Sequence, residues 1–391
     1  MEAYIFEWLS LFFRWFHVIA GIAWIGASFY FIWLDLSLRE PPEWKKEKGI
    51  KGDLWAIHGG GFYEVAKYQL GPQTMPKKLH WFKWEAYTTW LTGFSLLAII
   101  YYWGANQYLL DPQKMVLTQV QGIGISLGFL LAGVGIYEAM VRSALRHWPR
   151  VFGAILFSLL VFSAWALDQI FSDRAAYLHI GALIGTIMVG NVKLGIMPAQ
   201  CELVRAVEAG EVPNAEYAAI AKLRSTHNNY FTLPLIFLMI SNHYPMTYGH
   251  EYPWLVLAAI GGLAAFVRHY FNLKHQDQHK PWILVVGIIG LLLVAAWMTP
   301  THLRQASNAA VINDTQALAL VQVHCVGCHA DVPTQAGFAT APAGIVLAHV
   351  EQLQQLSPRI VTALQTGYMP LGNMKGMTEQ ERSELIQWLT R

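Results

Sequence analysis

Eight stretches of the chain are apolar and contain no Asp, Glu, Lys or Arg. Each is close to the ~20 residues that cross a hydrocarbon core of about 30 Å as an α-helix. The sixth contains two prolines and three asparagines, which leaves a broken helix open at that place. The pattern predicts an all-α fold with an eight-helix transmembrane bundle, its spans within residues 15–34, 86–110, 115–137, 151–167, 175–192, 225–250, 252–267 and 281–303.

The distribution of basic residues predicts the orientation of these spans. Most Lys and Arg residues between spans lie in the loops after the first, third, fifth and seventh, whereas the other loops hold only Lys114 and Arg174. Because basic loops are retained in the cytoplasm, we expect a multi-pass protein of the bacterial inner membrane with both termini in the periplasm. The N-terminus lacks a basic segment, so we interpret the first span as a retained anchor rather than a cleaved signal peptide.

Soluble segments interrupt and follow the spans. Residues 37–85 form a cytoplasmic insertion, in which 54–65 predicts two short strands around a glycine turn. Residues 199–226 predict two short helices on the membrane surface, separated by Gly210 and Pro213. The predicted domains are an integral membrane domain at 1–299, a polar linker at 300–312 and an extracytoplasmic domain at 313–391.

Composition narrows the function. Hydrophobic residues make up 54% of the chain and charged residues 13%, about half of the usual charged share of roughly 25%, so a simple cytosolic enzyme is excluded. The 27 Lys and Arg residues against 25 Asp and Glu give a net charge of only +2, which is too balanced for binding nucleic acid through its phosphates. We therefore expect the lipid bilayer as a partner, and no nucleic acid.

The segment Cys325-Val-Gly-Cys328-His329 has the spacing that attaches a c-type haem. The two thiols add to the haem vinyl groups, and the histidine supplies one axial nitrogen to the iron. A redox-active Cys pair and half of a zinc site use the same spacing, but no second Cys pair follows that would complete a zinc site. We expect one covalent haem c bound by Cys325, Cys328 and His329, with His324 as an exposed neighbour.

Residues 313–391 resemble the small class I cytochromes c. Here a loop methionine, Met369, is followed by a proline and a terminal amphipathic helix. The resemblance implies that Met369 is the second axial ligand of the iron, opposite His329, and that the last helix packs across the first. Met374 and Met377 are alternatives for the sulfur ligand.

Polar side chains inside the spans are unfavourable in lipid and mark candidate functional positions. One layer, near the outer face, contains His17, Asp168 and His179. Its two histidines suit a substrate contact, the ligation of a b-type haem, or hydrogen-bonded packing. A second layer, near the inner face, offers a cationic, amide-rich pocket for a planar anion with ring nitrogens and carbonyls. The residues of this predicted substrate pocket are Lys193, Asn228, Asn229 and Arg268.

The order of these segments resembles the bacterial membrane-bound urate oxidases, also described as urate hydroxylases, that are fused to a C-terminal cytochrome c. The resemblance covers essentially the whole chain. It is carried by the haem motif and by Arg14–Gly26, His58–Tyr63, Leu79–Gly93 and His227–Pro234.

This resemblance implies oxidation of urate to 5-hydroxyisourate with water as the oxygen source. Electrons would pass through haem c to a soluble cytochrome c or a terminal oxidase, without hydrogen peroxide. Glu138, Asp168 and His227 are the candidate bases for removing protons. If urate binds at the inner face, electrons must cross about 30 Å of hydrocarbon. Either the site then lies near His17 and His179, or an additional cofactor such as haem b bridges the gap.

Two other functions fit the same pattern. A quinol-oxidising membrane cytochrome would serve another dehydrogenase and be indifferent to purines. A transporter bundle with a regulatory cytochrome is favoured by the prolines of the sixth span. Composition and periodicity do not separate these functions; the family resemblance places urate oxidation first.

Overall fold

The computed structural model describes residues 2–299, 311–335, 338, 340–365 and 369–391. This part of the chain is mostly helical. A helix lies at each of the eight predicted spans: α1 (Glu2–Ser37), α3 (Trp84–Leu96) continued by the π-helix Leu97–Trp103, α5 (Gln119–Arg142), α6 (Pro149–Asp168), α7 (Asp173–Asn191), α9 (Ala215–Ser241), α11 (Pro253–Lys274) and α12 (Trp282–Trp297). Shorter helices are α2 (Glu43–Lys46), α4 (Ala105–Tyr108), α8 (Met197–Glu208), joined to α7 by the π-helix Val192–Ile196, and α10 (Pro245–Tyr248).

Five helical segments among the described residues are long and apolar enough to cross a membrane. Helix α12 is apolar but has only 16 residues, and α9 carries polar side chains along its first half. Five spans support a membrane protein, and the full count of eight stays a prediction. The five are Tyr4–Ser37, Gln119–Arg142, Pro149–Asp168, Asp173–Glu208 and Pro253–Lys274.

The segment 199–226 differs from its prediction. Helix α8 occupies its first part, but the second helix is not a separate surface helix. Asn214 caps the start of α9, which then runs through Pro234 without a break. Arg224 of this helix is only 4% exposed, because an ion pair inside the bundle compensates its charge. The surface interpretation was therefore wrong for this helix, and the sixth span is a continuous helix.

The insertion at residues 37–85 contains an antiparallel hairpin of β1 (Ile50–His58) and β2 (Gly61–Tyr68). This confirms the two strands predicted around a glycine turn. The turn is Gly59-Gly60, with φ of 58° and 81°, the left-handed conformation that two-residue hairpin turns require and that glycine adopts readily. Buried Lys45 forms an ion pair with one carboxylate from each strand, which ties α2 to the hairpin.

The two ends of the bundle carry different structures. At one end, Lys222 of α9 lies 3.0 Å from Asp35 near the end of α1, and Arg39 lies 2.9 Å from Asp277. We call this the hairpin end, since the insertion lies there. The opposite end contains the start of α1, α4, the start of α7 and α10, and it faces the C-terminal domain. We call it the cavity end.

Helix α7 forms the centre of the bundle. It packs against α3, α5, α6 and α9, and most of its residues, including Tyr177 and Ile187, are buried. Helices α1 and α12 instead expose large apolar side chains, such as Trp15 and Leu293. That pattern is expected of helices whose outer faces contact lipid.

The C-terminal domain has an apolar core of its own, formed by α13 (Asp314–His324), α14 (Val350–Gln355), α15 (Ser357–Gln365) and α16 (Glu379–Leu389). Its first and last helices are in contact, and the Trp388 indole donates a hydrogen bond of 3.0 Å to Asp314. Thr378 and Glu381 form a capping box at the start of α16. The domain therefore brings its two ends together, the arrangement that the cytochrome c resemblance implied.

Candidate functional site

A cavity of about 1170 Å³ lies between the C-terminal domain and the cavity end of the bundle. Cys325, Cys328 and His329 line it from the C-terminal domain, and Arg14 and Tyr108 line it from the bundle. Small-molecule sites commonly measure about 300–1,000 Å³. The cavity is therefore large enough for a group of the size of a haem.

His329 is held in the orientation that an axial ligand needs. Its side chain is buried, and its Nδ1 lies 2.9 Å from the carbonyl oxygen of Ile345. Because the carbonyl only accepts, Nδ1 carries the proton and Nε2 keeps its lone pair. A hydrogen bond of this kind fixes the tautomer of most metal-binding histidines, so His329 fits a haem iron in the cavity.

The three candidate methionines differ in position. Met369 and Met374 line the cavity, whereas Met377 is 3% exposed and belongs to the apolar core of the domain. Arg382 donates a hydrogen bond of 2.7 Å to the backbone carbonyl of Met369, which anchors that part of the loop. The geometry leaves Met369 and Met374 as possible sulfur ligands.

The two cysteines are poor candidates for a redox-active pair. Burial raises the pKa of the Cys325 thiol to about 12 and also raises the pKa of the Cys328 thiol. Reactive cysteines need a lowered pKa, because the thiolate is the nucleophile. The spacing, the cavity and the orientation of His329 together fit covalent haem c.

His324 is not the exposed neighbour that the sequence predicted. Its side chain is 4% exposed, with Nε2 3.7 Å from a carboxylate oxygen of Glu381, because packing of α13 against α16 covers it. Its Nδ1 has no hydrogen-bond partner within the described residues.

A second set of polar side chains lies in the bundle toward the hairpin end. Buried Arg224 of α9 donates from both terminal nitrogens to Glu138 of α5, and Nη1 also lies 3.0 Å from Oδ1 of Asn191 of α7. Tyr137 donates to the same oxygen at 3.0 Å, and its hydroxyl lies 2.7 Å from Nδ1 of His227. These residues, Tyr137, Glu138, Asn191, Arg224 and His227, are called the polar network below.

The hydrogen bonds of Tyr137 determine the tautomer of His227. Its single hydroxyl proton is donated to Asn191 Oδ1, which only accepts. The His227 Nδ1 must then donate to the Tyr137 oxygen, which leaves the Nε2 lone pair available to take a proton.

The π-helix between α7 and α8 makes room for the polar network. A Cβ atom at Gly195 would lie 2.0 Å from Cδ of Arg224. Only glycine at this position allows the arginine to pass the helix and reach Glu138. The buried ion pair of Arg224 therefore depends on a glycine at position 195.

Arg268 of α11 forms a separate polar site on the opposite side of α9. Its Nε donates a 2.6 Å hydrogen bond to Asn229, whose Nδ2 donates to Asn272 at 2.9 Å. The guanidinium lies 4.1 Å from the ring centroid of Phe29 of α1. Arg268 is 5% exposed, and its Nη2 has no hydrogen-bond partner in the part of the chain that the structure describes. An unpaired buried guanidinium N–H is a binding group for an anion.

The four predicted substrate-binding residues are therefore divided. Asn229 and Arg268 lie together. Asn228 instead accepts a hydrogen bond of 2.8 Å from Asn191 and belongs beside the polar network. Lys193 is exposed. His227 and Asn229 face opposite sides of α9, because two residues turn an α-helix by about 200°.

Glu85, at the start of α3, is half-buried, and its Oε2 atom is buried. No hydrogen bond to its Oε2 is found among the described residues. Helix α3 packs against α1, the helix that carries Phe29. The hairpin end thus contains an unpaired carboxylate oxygen and an unpaired guanidinium nitrogen.

Comparison with known families identifies the bundle. The model of a family described as "Urate oxidase N-terminal" matches residues 3–299. The chain belongs to this urate oxidase family. It is thus a urate oxidase-related protein, and the family indicates an oxidoreductase with urate as its substrate. The apolar helices are compatible with a membrane protein. No curated protein matches the chain, and no solved structure matches it.

Within this urate oxidase region, the outer histidines are engaged in helix packing. His17 Nδ1 lies 3.0 Å from the Thr89 carbonyl and 3.1 Å from the Thr92 hydroxyl. His179 is fully buried and uses both nitrogens: Nδ1 donates to the Ala175 carbonyl at 2.7 Å, and Nε2 lies 2.7 Å from Ser126 Oγ. His179 would have to give up one bond to bind a second haem.

The three candidate bases of the urate oxidase region differ in their partners. Glu138 is paired with Arg224 and also with Arg142 at 2.9 Å. Asp168 lies 2.8 Å from Lys114 Nζ. Both carboxylates are therefore engaged in ion pairs with fixed cations. His227 forms no ion pair among the described residues, and its ring contacts Tyr137 through Nδ1.

Within the described ranges, no group of three or more His, Cys, Asp or Glu side chains converges on one point. A haem iron needs only two protein ligands, since the porphyrin supplies four nitrogens.

Several residues of these sites were absent from the sequence-based predictions. These residues are Tyr137, Arg224 and Asn272, whereas Asn191 and Glu85 were expected among the polar positions of the inner layer. Arg224 was excluded because it directly precedes the uncharged run 225–250 and was assigned to a surface helix. Glu138 follows the third uncharged run and Arg224 precedes the sixth, which places the two opposite charges at the same end of the bundle, and that complementarity was the signal available for pairing them.

Proposed function

We propose that the protein oxidises urate to 5-hydroxyisourate with water as the oxygen source and passes the electrons to a haem c in the cavity. The balanced half-reaction is urate plus water giving 5-hydroxyisourate, two protons and two electrons. The observation that carries the proposal is the cavity itself, because its walls come both from the urate oxidase region and from the Cys325–His329 segment.

Cys325, Cys328, His329 and Met369 would hold the haem, which supplies a sink that takes electrons one at a time. A soluble cytochrome c or a terminal oxidase is the proposed acceptor. Since electrons do not pass directly to dioxygen, no hydrogen peroxide is formed. This assigns the C-terminal domain and the cavity end to the periplasmic side of a bacterial inner membrane, and the hairpin end to the cytoplasm.

We place the urate anion at Arg268. The Nη2 group would donate a charge-assisted hydrogen bond to a carbonyl or ring nitrogen of urate. The face of Phe29 already packs against this guanidinium, so the site combines an apolar wall with a fixed positive charge. Asn229 keeps Arg268 in place through Nε.

Two groups can act as the base. Glu85 has a buried carboxylate oxygen without a partner at the hairpin end, and His227 has a free Nε2 on the far side of α9. Glu85 is preferred with urate at Arg268, because His227 faces away from Asn229. Glu85→Gln should then lower turnover more than His227→Gln, with urate binding retained in both.

The test is an anaerobic visible spectrum of the oxidised, detergent-purified protein before and after urate is added. Appearance of the reduced c-type α-band supports the proposal, and oxygen from labelled water should enter the product. Arg268→Ala is the control for non-specific reduction. The haem of this variant should stay oxidised when urate is added and should still be reduced by dithionite. A wild-type haem that ignores urate but is reduced by quinol would establish the quinol-oxidising alternative. The continuous α9 removes the broken helix that favoured a transporter.

A further inference from the structure

The two proposed sites lie at opposite ends of the bundle. Arg268 is 15 residues from Pro253, the first residue of α11 at the cavity end, a distance of about 22 Å along the helix. A single tunnelling step across apolar side chains is slow over such a distance. The electrons need intermediate groups, or a second haem.

Aromatic side chains begin a path from the hairpin end. Trp24 lies on α1, five residues before Phe29. It packs against the same apolar cluster as Trp90 of α3. Trp90 stacks on Phe94, with ring centroids 5.4 Å apart, and Phe94 lies 6.4 Å from Tyr102. The indole N–H of Trp90 donates to Thr186 at 3.1 Å.

The π-helix that continues α3 directs two consecutive tyrosines into the bundle. Tyr101 is 3% exposed, and Tyr102 is half-buried. A π-helix adds one residue to a helical turn, which changes the direction in which the following side chains point. Such segments are frequent at functional sites. Here the change brings both phenols toward His179.

Tyr102 has a proton acceptor within reach. Its hydroxyl lies 2.8 Å from Ser126 Oγ, which lies 2.7 Å from His179 Nε2. His179 Nδ1 donates to the Ala175 carbonyl, so Nε2 must accept. The hydrogen bonds therefore run in one direction, from Tyr102 through Ser126 to His179. A phenol that can release its proton to a base is far easier to oxidise than an isolated one.

The path ends at the haem cavity. Tyr101 lies 6.1 Å from the His179 ring and 6.4 Å from the ring of Tyr108. Tyr108 lines the cavity together with Cys328 and His329. From Trp90 to Trp103, the helical axis advances about 20 Å, most of the distance between the two sites.

We propose that this series of side chains carries electrons from the urate site to the haem cavity, one at a time, and this rests on the proposed function. The members of this aromatic relay are Trp90, Phe94, Tyr102, His179, Tyr101 and Tyr108. Trp90 and Tyr102 are the oxidisable members, and Phe94, His179, Tyr101 and Tyr108 are bridges that are not themselves oxidised.

Each transfer leaves the relay unchanged. Tyr102 gives an electron toward the ferric haem and its phenolic proton to His179 through Ser126. It then takes an electron from the side of Trp90, while the proton returns. Two such cycles remove the two electrons of one urate, for which a haem held by Cys325, Cys328 and His329 would be the electron sink.

The relay is tested with Tyr102→Phe, which keeps the ring and removes the ionisable hydroxyl. Tyr177→Phe is the matched control: this buried tyrosine lies outside the relay and donates only to backbone carbonyls, of Thr247 at 2.9 Å and Pro253 at 2.7 Å. In anaerobic stopped-flow measurements, urate should reduce the haem at least about tenfold more slowly in Tyr102→Phe than in Tyr177→Phe. Urate binding by calorimetry should be the same in both.

A solvent isotope effect separates proton-coupled transfer from packing. Deuterated water should slow haem reduction in the wild type and in Tyr177→Phe, but not in Tyr102→Phe. Equal rates and equal isotope effects in the two variants would overturn the relay. A b-type band in the wild-type spectrum, with Tyr102→Phe unimpaired, would assign the transfer to a second haem.

A further measurement does not need urate. A one-electron photo-oxidant applied to the resting protein should give a tyrosyl radical signal in electron paramagnetic resonance that Tyr102→Phe loses and Tyr177→Phe keeps. If the wild-type haem is not reduced by urate, the proposed function fails, whereas persistence of this signal in Tyr102→Phe refutes the relay alone.

Discussion

The strongest single test of the substrate site is Arg268→Ala. The Nη2 group would make a charge-assisted hydrogen bond to the urate anion in a buried setting, and such bonds contribute about 1.5–3 kcal/mol. Since about 1.4 kcal/mol is tenfold in affinity, urate binding should weaken by about 10- to 150-fold. Calorimetry on the detergent-purified protein measures this directly.

The same substitution also affects the fold. It removes the donor that satisfies Asn229 Oδ1, and a buried acceptor without a partner costs about 1–3 kcal/mol. Arg205→Ala is the matched control, because this arginine of α8 is exposed and pairs only with Glu202 and Glu211 on the surface. It should change neither binding nor the unfolding temperature. Urate affinity within about twofold of the wild type in a folded Arg268→Ala protein would refute the pocket.

Three further substitutions test other parts of the structure. Gly195→Ala places a Cβ against Arg224 and should displace its buried ion pair, with a loss of about 3–5 kcal/mol of stability. Gly185→Ala, with open space at its Cβ, should leave the unfolding temperature nearly unchanged. Met369→Ala should abolish the methionine-to-iron charge-transfer band of the oxidised haem, and Met374→Ala should retain it. The opposite result would show that Met374 is the sulfur ligand. His17→Ala should lower the unfolding temperature, because it removes hydrogen bonds to α3. The rate of haem reduction by urate should stay within about threefold of the wild type. Complete loss of reduction in a folded variant would give His17 a redox role.

The positions of the membrane helices followed closely from the sequence, because a run of uncharged residues must form its hydrogen bonds internally in lipid. The same rule failed at the start of α9. That rule places every charged residue outside the bundle, whereas Arg224 lies inside it, paired with Glu138. Which charges pair across helices depends on packing, and packing is not encoded in the spacing along one helix.

In the candidate sites, too, some features follow from the spacing of residues along the sequence, and others depend on how the helices pack. The haem motif could be recognised from Cys325, Cys328 and His329 alone, because covalent attachment requires a fixed spacing. The separation of Asn228 from Asn229 could not be recognised, since it depends on which face of α9 meets α11. The π-helices were not predicted either, because a change of hydrogen-bond register does not alter the pattern of apolar residues along the sequence.

The cavity shared by the two domains has a consequence for the assembly of the protein. Part of its wall is Tyr108 and Arg14 of the bundle, and the rest belongs to the C-terminal domain. A haem bonded to Cys325 and Cys328 is enclosed once the two parts meet. We therefore expect haem attachment to precede docking, so that membrane insertion, export of the last domain, attachment and closure follow a fixed order. A chain that docks before attachment would be folded and inserted, yet trapped without its electron carrier.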